Sequence, residues 1–301
     1  MIALTQKEWY VREGTILNYS GNKSEIIAPD NFNNHAVTVI GAGAISPLKK
    51  NLSEERIMSR NAITSVCISD GIFGIDDGAF EGCQSLNTVC LPAGLRYIGS
   101  KAFSHCESLL EIDMSAISAL TIGDNAFSWC TSLKAARMPE QINIPAIAHH
   151  CFNGCNLLEK VIMPKDMSSI PMMMFYNCSS LKEMSIPSTV RMIETDSFHC
   201  CSALHEITIP PSVNTIGIWA FYGCSSLEQI NFSVGLKIIE AGAFKYCGVK
   251  EINLPEGLVE IGTGAFEGCR NLETVVVPSS LNVPCDKIFI DCPKLKNFIR
   301  K

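Results

Sequence analysis

One aromatic position recurs about every 23 residues and constrains every other reading of the chain. It runs Phe80, Phe103, Phe127, Phe152, Phe175, Phe198, Phe221, Phe244, Phe266 and Phe289, with successive spacings of 23, 24, 25, 23, 23, 23, 23, 22 and 23. The same neighbours return around each Phe, as in GIDDGAFEGCQSLNTVCLP around Phe80 and EIGTGAFEGCRNLETVVVP around Phe266. Ten copies in one register occupy more than two thirds of the 301 residues. A unit this short cannot bury its own apolar side, whereas stacked copies bury it against each other. The repeat therefore predicts a solenoid with a continuous core.

Each column has a physical reading. Three residues after the Phe stands Cys in all ten copies, from Cys83 to Cys292. Six after it stands Leu in nine, Val249 taking the place in the copy that is one residue short. Apolar residues at i, i+3 and i+6 predict one or two helical turns here. A short alternating segment follows, such as EITIP at 206–210, with Ile207 and Ile209 inward. That alternation predicts a short β-strand with one buried face. Pro closes most of these strands, as at Pro92, Pro187, Pro210 and Pro278, because it has no N–H to continue a ladder. Strands stack about 4.8 Å apart and helices about 8–10 Å apart, so the stack is expected to curve with its strands on the concave side.

The pattern LxxIxLPxxLxxIGxxAFxxCxxL resembles the BspA-like class of leucine-rich repeat, from about residue 36 to the C-terminus. The resemblance implies an α/β fold: a right-handed leucine-rich repeat solenoid with a parallel β-sheet on the concave face and short helices on the convex face. It also implies an N-terminal β-hairpin cap, and EWYVREGTILNYSGN carries turn signals for one at Gly14 and Ser20–Gly21. The expected organisation is a cap over 1–35 and a solenoid of about eleven repeats over 36–301, one structural domain in all. A degenerate first repeat is legible in Val39–Ile40–Gly41, Ala44–Ile45, Ile63, Val66 and Ile68. It is interrupted by SPLKKNLSEERIMSR, where Asn51-x-x-Glu54 predicts a short exposed helix. Ala136 in the strand AARMP and the long junction EQINIPAIAHH mark the expected bend or weak spot.

The net charge of −6, from 24 basic and 30 acidic residues, gives no electrostatic reason to bind nucleic acid or an anionic bilayer. The longest apolar stretch, Ala36 to Leu48, is 13 residues and is broken by Thr38, Ser46 and Pro47, short of the ~18 a membrane span needs. MIALTQKEWYVREG holds no hydrophobic run of signal-peptide length. A cytoplasmic location is expected if Met1 is the native start; the family resemblance implies an extracellular or cell-surface one.

Fifteen cysteines are unusual in number. The ten column cysteines are expected to be reduced and buried, filling tight core positions as small apolar side chains with a weak S–H donor. A disulfide ladder is disfavoured because helices would space the rungs near ~10 Å, beyond the ~7 Å between Cα atoms that a bridge tolerates. Cys67 and Cys90 fall at outward positions on adjacent strands, with Cα atoms ~4.8 Å apart. Two free thiols, or a bridge or shared metal, remain open there. Cys151, Cys200 and Cys285 have no evident partner. His149–His150–Cys151…Cys155 and His199–Cys200–Cys201 invite a zinc or Cys–His reading, but Cys155 and Cys201 belong to the core column. Met172–Met173–Met174 reads as core filling. No GxSxG, HExxH, P-loop or dinucleotide fingerprint is present, so neither an enzyme nor a cofactor or metal site is expected.

The positions eight and ten residues after each Phe vary freely and point away from the core. They hold five acids and two bases and no aromatic residue. Glu111, Asp113, Lys160, Glu183, Glu206, Gln229 and Glu251 are the candidate ligand-binding residues; the alternative is that they are simply solvated. The expected function is a non-enzymatic recognition scaffold, a monomer without a transmembrane segment, binding a protein or glycan on its concave face. The resemblance implies surface adhesion or host-matrix interaction. An intracellular protein–protein interaction module is the alternative, consistent with many reduced thiols.

Overall fold

The computed structural model describes residues 8–141, 149–281 and 285–301. The chain divides into two compact units, Met1–Pro164 and Lys165–Lys301, each a parallel β-solenoid. Every regular rung contributes two short strands rather than the one legible in the sequence.

The first strand is the two-residue step before the Phe turn. In the first unit Thr15–Ile16, Val39–Ile40, Gly74–Ile75, Tyr97–Ile98 and Thr121–Ile122 pair successively in parallel. In the second unit Ser169–Ile170, Met192–Ile193, Thr215–Ile216, Ile238–Ile239 and Glu260–Ile261 do the same. The Ile of each step is buried. The Gly that often follows lies against the backbone of the rung before it: a Cβ on Gly123 would sit 2.5 Å from the Ser100 nitrogen.

The second strand is the expected alternating one. Glu111–Asp113, Ala135–Arg137 and Lys160–Ile162 pair in register in the first unit. Glu206–Thr208 pairs with Gln229–Asn231, and Glu251–Asn253 with Thr274–Val277 and then Asn297–Arg300, in the second. Ile112, Ala136, Ile207 and Ile252 are buried while their flanking residues face out. Ala136 keeps its strand position, at 1% exposure. Residues 142–148, most of the junction expected to bend, lie outside the described residues.

The Phe-containing segments are not helices, which corrects the expectation of a helical convex side. They are tight turns that contain a left-handed residue on either side of the Phe. The residues two before and two after the Phe have positive φ, as at Lys101 (56°) and His105 (58°) around Phe103. The N–H of every second residue therefore points along the stack. Gly78, Phe80 and Gly82 donate to the carbonyls of Ser100, Ala102 and Ser104 of the next rung at 2.9, 2.8 and 2.8 Å. The residues between them, and Cys83 after them, close i→i−3 bonds within the turn, as Glu81 N–H does to Gly78 O at 3.0 Å and Cys83 N–H to Phe80 O at 3.1 Å. An α-helix would satisfy its N–H groups internally and hold its neighbours apart; this turn is hydrogen-bonded sideways like a strand.

The pitch on this side is consequently that of a sheet. Stacked Phe rings lie 4.9 Å apart between Phe80 and Phe103 and 5.0 Å between Phe198 and Phe221. The wide spacing that counted against a disulfide ladder is therefore absent between these rungs. The column thiols are occupied otherwise. Cys106, Cys130, Cys155, Cys201, Cys224, Cys247, Cys269 and Cys292 each donate Sγ–H to the carbonyl of the Phe one rung earlier, at 3.1–3.3 Å.

The N-terminal hairpin pairs Trp9–Arg12 with Thr15–Tyr19, as expected, and two of the first unit's parallel sheets start in this cap region. Thr15–Ile16 opens the two-residue sheet, and Glu25–Ala28 opens a second by pairing with Ser65–Ile68. The interrupted first repeat carries the one α-helix among the described residues, Glu54–Asn61, capped by Ser53 rather than Asn51. Its face is not wholly exposed. Arg60 is 1% exposed and donates to Ser46 O at 2.5 Å, Asn18 Oδ1 at 2.5 Å and Tyr19 O at 3.0 Å, fastening the insertion to the hairpin.

Candidate functional site

The outward residues of the three-residue strands are presented on a hydrogen-bonded frame, but the structure divides them into two groups. In the first unit Glu111, Ala135 and Lys160 form one row, and Asp113, Arg137 and Ile162 the next. Glu111, Asp113 and Lys160 are exposed. Asp113 accepts from the Ser115 backbone N–H at 2.9 Å and the Ser115 hydroxyl at 2.5 Å, and Arg137 Nη1 approaches it at 3.8 Å. The Ser115 bonds, then Arg137, hold its carboxyl below the ordinary carboxylate range. Asp113 is thus a carboxylate tied into its own turn.

In the second unit Glu183, Glu206, Gln229 and Glu251 are all exposed. Glu206 and Gln229 are direct register partners. Glu183 lies in a segment, 181–187, without regular strand structure. Gln229 and Glu251 stand on neighbouring strands that are not paired. The repeat is one residue short between Phe244 and Phe266, and here the outward sheet is divided between Gln229–Asn231 and Glu251–Asn253.

A groove of about 570 Å³ opens at this division, lined on one side by Glu228, Gln229 and Asn231 and on the other by Lys250, Glu251 and Asn253. Lys250 Nζ meets Glu228 Oε2 at 2.7 Å across it, and this bond holds the Glu228 carboxyl below its usual range. Asn231 Nδ2 donates to Thr208 Oγ1 at 3.2 Å, and Lys301 Nζ to Asn253 Oδ1 at 3.3 Å, so both amides are oriented. The lining combines carboxylates, an ammonium and oriented amides, groups that recognise hydroxyls, peptide groups and charged side chains through hydrogen bonds. Sequence reading singled out Gln229 and Glu251 but not Glu228 or Lys250. The 22-residue spacing marks the place in the sequence, but the strand pairing there is visible only in three dimensions.

The histidine clusters have other occupations. His199 Nδ1 lies 2.6 Å from Oδ1 of the buried Asp196, and its ring is stacked between Tyr176 and Tyr222 at 4.5 and 4.4 Å. The His149 backbone N–H donates to Asp124 Oδ1 at 2.8 Å, while Cys155 and Cys201 belong to the thiol ladder. Among the described residues no group of three or more His, Cys, Asp or Glu side chains is arranged to hold a metal ion. Of the three consecutive methionines only Met174 is buried; Met172 and Met173 are half-buried. The side chain of Cys285 lies outside the described residues.

Two stacked sheets closed by Phe turns, repeated every 23 residues, define a leucine-rich repeat solenoid, a class of repeat-built binding scaffold. The sequence profile of the BspA type leucine rich repeat region matches residues 50–157, 145–248 and 220–300, and the chain belongs to that family. Among solved structures it is similar to the pneumococcal vaccine antigen PcpA, with 21% identity, a TM-score of 0.55, and coverage of 95% of this chain and 81% of that one. A leucine rich cell surface protein of Faecalibacterium prausnitzii is 25% identical over 100% of this chain and 95% of that one, with a TM-score of 0.48. A leucine-rich repeat protein of Bacteroides ovatus is 21% identical over 96% of this chain and 97% of that one, with a TM-score of 0.40. A comparison with curated proteins finds no match. Among the described residues no helix is long and apolar enough to cross a membrane.

Proposed function

We propose that this chain is a non-enzymatic recognition scaffold that binds a protein or glycan on the outward face of its three-residue strands. The observation that carries the reading is the groove at the divided sheet, where Glu228, Gln229, Asn231, Lys250, Glu251 and Asn253 converge on about 570 Å³. The frame beneath them is rigid, so little ordering entropy is lost when a partner docks. The mixed charges favour a polar ligand with both donors and acceptors over a purely apolar one. Glu111 and Lys160 in the first unit, and Glu183 and Glu206 in the second, supply further exposed charge for steering a partner. Surface adhesion or host-matrix binding is the role that family membership suggests for such a scaffold.

The test is a screen of the purified chain against immobilised glycans and purified matrix proteins, repeated with Gln229→Arg/Glu251→Lys. The expected result is binding by the parent chain that the double variant loses without a change in melting temperature. Binding that survives the double variant undiminished, and is lost instead on deleting residues 46–60, would move the function to the opposite side of the rungs.

A further inference from the structure

Two exposed thiols stand side by side where the outward sheet of the first unit begins. Cys67 lies in Ser65–Ile68 and Cys90 in Thr88–Cys90, and the two are direct register partners in parallel strands. Both are exposed and unbridged, unlike the buried ladder thiols, whose S–H groups are bonded to carbonyls. Parallel pairing places their Cα atoms ~4.8 Å apart with side chains on the same face. That separation is within the ~4.4–6.8 Å range of disulfides, while parallel Cβ vectors keep the Cβ atoms wider than the ~3.8 Å of a relaxed bridge. A bond here is therefore within reach of a small local approach of the two strands and is not in its most relaxed form. Exposed and imperfectly relaxed disulfides are the ones that reduce readily.

We propose that Cys67 and Cys90 form a reversible dithiol–disulfide pair, a redox-modifiable site on the recognition face. The oxidant is a low-molecular-weight disulfide of the glutathione class. One protein thiolate attacks a sulfur of the oxidant, forming a mixed disulfide and expelling one small thiolate. The second protein thiolate attacks the protein sulfur of that mixed disulfide and expels the other. Two protein thiols become one S–S bond, two protons are released to solvent or to the departing thiolates, and the oxidant is reduced to two thiols. Burial, and then the Cys90 thiol beside it, push the Cys67 thiol above its usual value, so Cys67 is largely protonated near neutrality and closure is driven at mildly alkaline pH. The bridge would clip two adjacent rungs together and replace two hydrogen-bonding thiols with an apolar link on the strand face, next to Ile27 in the same row.

The whole chain is incubated with excess oxidised glutathione at pH 8, then alkylated and mapped by mass spectrometry under non-reducing conditions. Residues 61–96 contain no internal Lys or Arg and carry Cys67, Cys83 and Cys90 together, so the map needs cleavage after Glu81 and fragmentation of the linked peptide. The expected product is a Cys67–Cys90 bridge with no glutathione retained at either position. Cys67→Ser should instead retain one glutathione on Cys90, and Cys90→Ser one on Cys67. Excess reduced glutathione should reopen the wild-type bridge. Two glutathiones held on Cys67 and Cys90 of the wild type, or no modification of either thiol in all three proteins, would overturn the pairing. A bridge that persists in excess reduced glutathione would overturn its reversibility.

Discussion

The Cys106 thiol donates to the Phe80 carbonyl oxygen at 3.3 Å, and that oxygen already accepts the Cys83 backbone N–H at 3.1 Å. One carbonyl thus closes its own turn with one lone pair and ties down the next rung with the other. The relationship recurs along both units and explains why the column holds Cys, a residue small enough for the site that also supplies a donor. Cys224→Ala should remove that donor and leave a small void, lowering stability by about 1–3 kcal/mol. The exposed Cys67→Ala should stay within ~0.5 kcal/mol. Urea denaturation under reducing conditions measures both, and equal losses would show that the ladder contributes nothing beyond space filling.

The buried thiols also make stability depend on alkaline pH. Burial pushes Cys83, Cys130 and Cys269 from the ordinary 9.0 up to about 12, and holds Cys106, Cys201 and Cys247 well above it. Between those values the folded chain keeps protons that the unfolded chain releases, so stability is full below pH 9 and drains as pH rises toward 12. Arg60 acts in the opposite sense, because burial lowers it from 12.5 to about 10, but it is one group against six. Melting temperature followed from pH 7 to 11 in the presence of a reductant should fall beyond pH 9. Cys106→Ala should flatten that fall, and a pH-independent melting curve would contradict it.

The Phe column and the outward strand positions should respond very differently to truncation. Phe198 is fully buried and stacked on Phe175 and Phe221 at 5.3 and 5.0 Å, so Phe198→Ala should cost about 3–5 kcal/mol. Glu206 is exposed, and Glu206→Ala should fall within ~0.5 kcal/mol. Similar melting shifts for the two would mean that the inward and outward faces are misassigned.

Arg60 fastens the insertion helix to the N-terminal hairpin through neutral oxygens on Ser46, Asn18 and Tyr19. Removing it strips the hairpin of the helix's donors at Asn18 Oδ1 and Tyr19 O and leaves Ser46 O with only the Lys49 N–H, so Arg60→Ala should cost about 2–4 kcal/mol. Lys cannot reproduce the guanidinium fork, and Arg60→Lys should recover only part of the loss. Hydrogen exchange provides the local readout: protection should fall in 15–19 ahead of the later rungs. Uniform loss along the chain would refute a local clamp.

Much of this protein is legible in its sequence because a repeat states the same packing rule ten times. Phe, Cys and Leu recur where the core is, Pro recurs where strands stop, and Ile207 and Ile209 alternate with Glu206 and Thr208 as a half-buried strand must. The apolar spacing within AFxxCxxL is compatible with a helical turn and also with the tight turn observed, where Phe80, Cys83 and Leu86 are all buried. What separates them is where the backbone N–H groups go. Phe80 N–H donates to Ala102 O, a partner 22 residues away, and no local pattern announces that bond.

The candidate site followed the same division. Outward exposure of Glu111, Lys160, Glu206, Gln229 and Glu251 followed from period-two alternation alone. That Gln229 and Glu251 line one groove with Glu228 and Lys250 did not, because it depends on two neighbouring strands failing to pair. Columns record what each residue does within its own rung, and a sequence carries that information locally. Hydrogen bonding between rungs is a property of how copies register against each other, so the lateral turns, the thiol ladder, the Arg60 clamp and the groove were decided only by the tertiary structure.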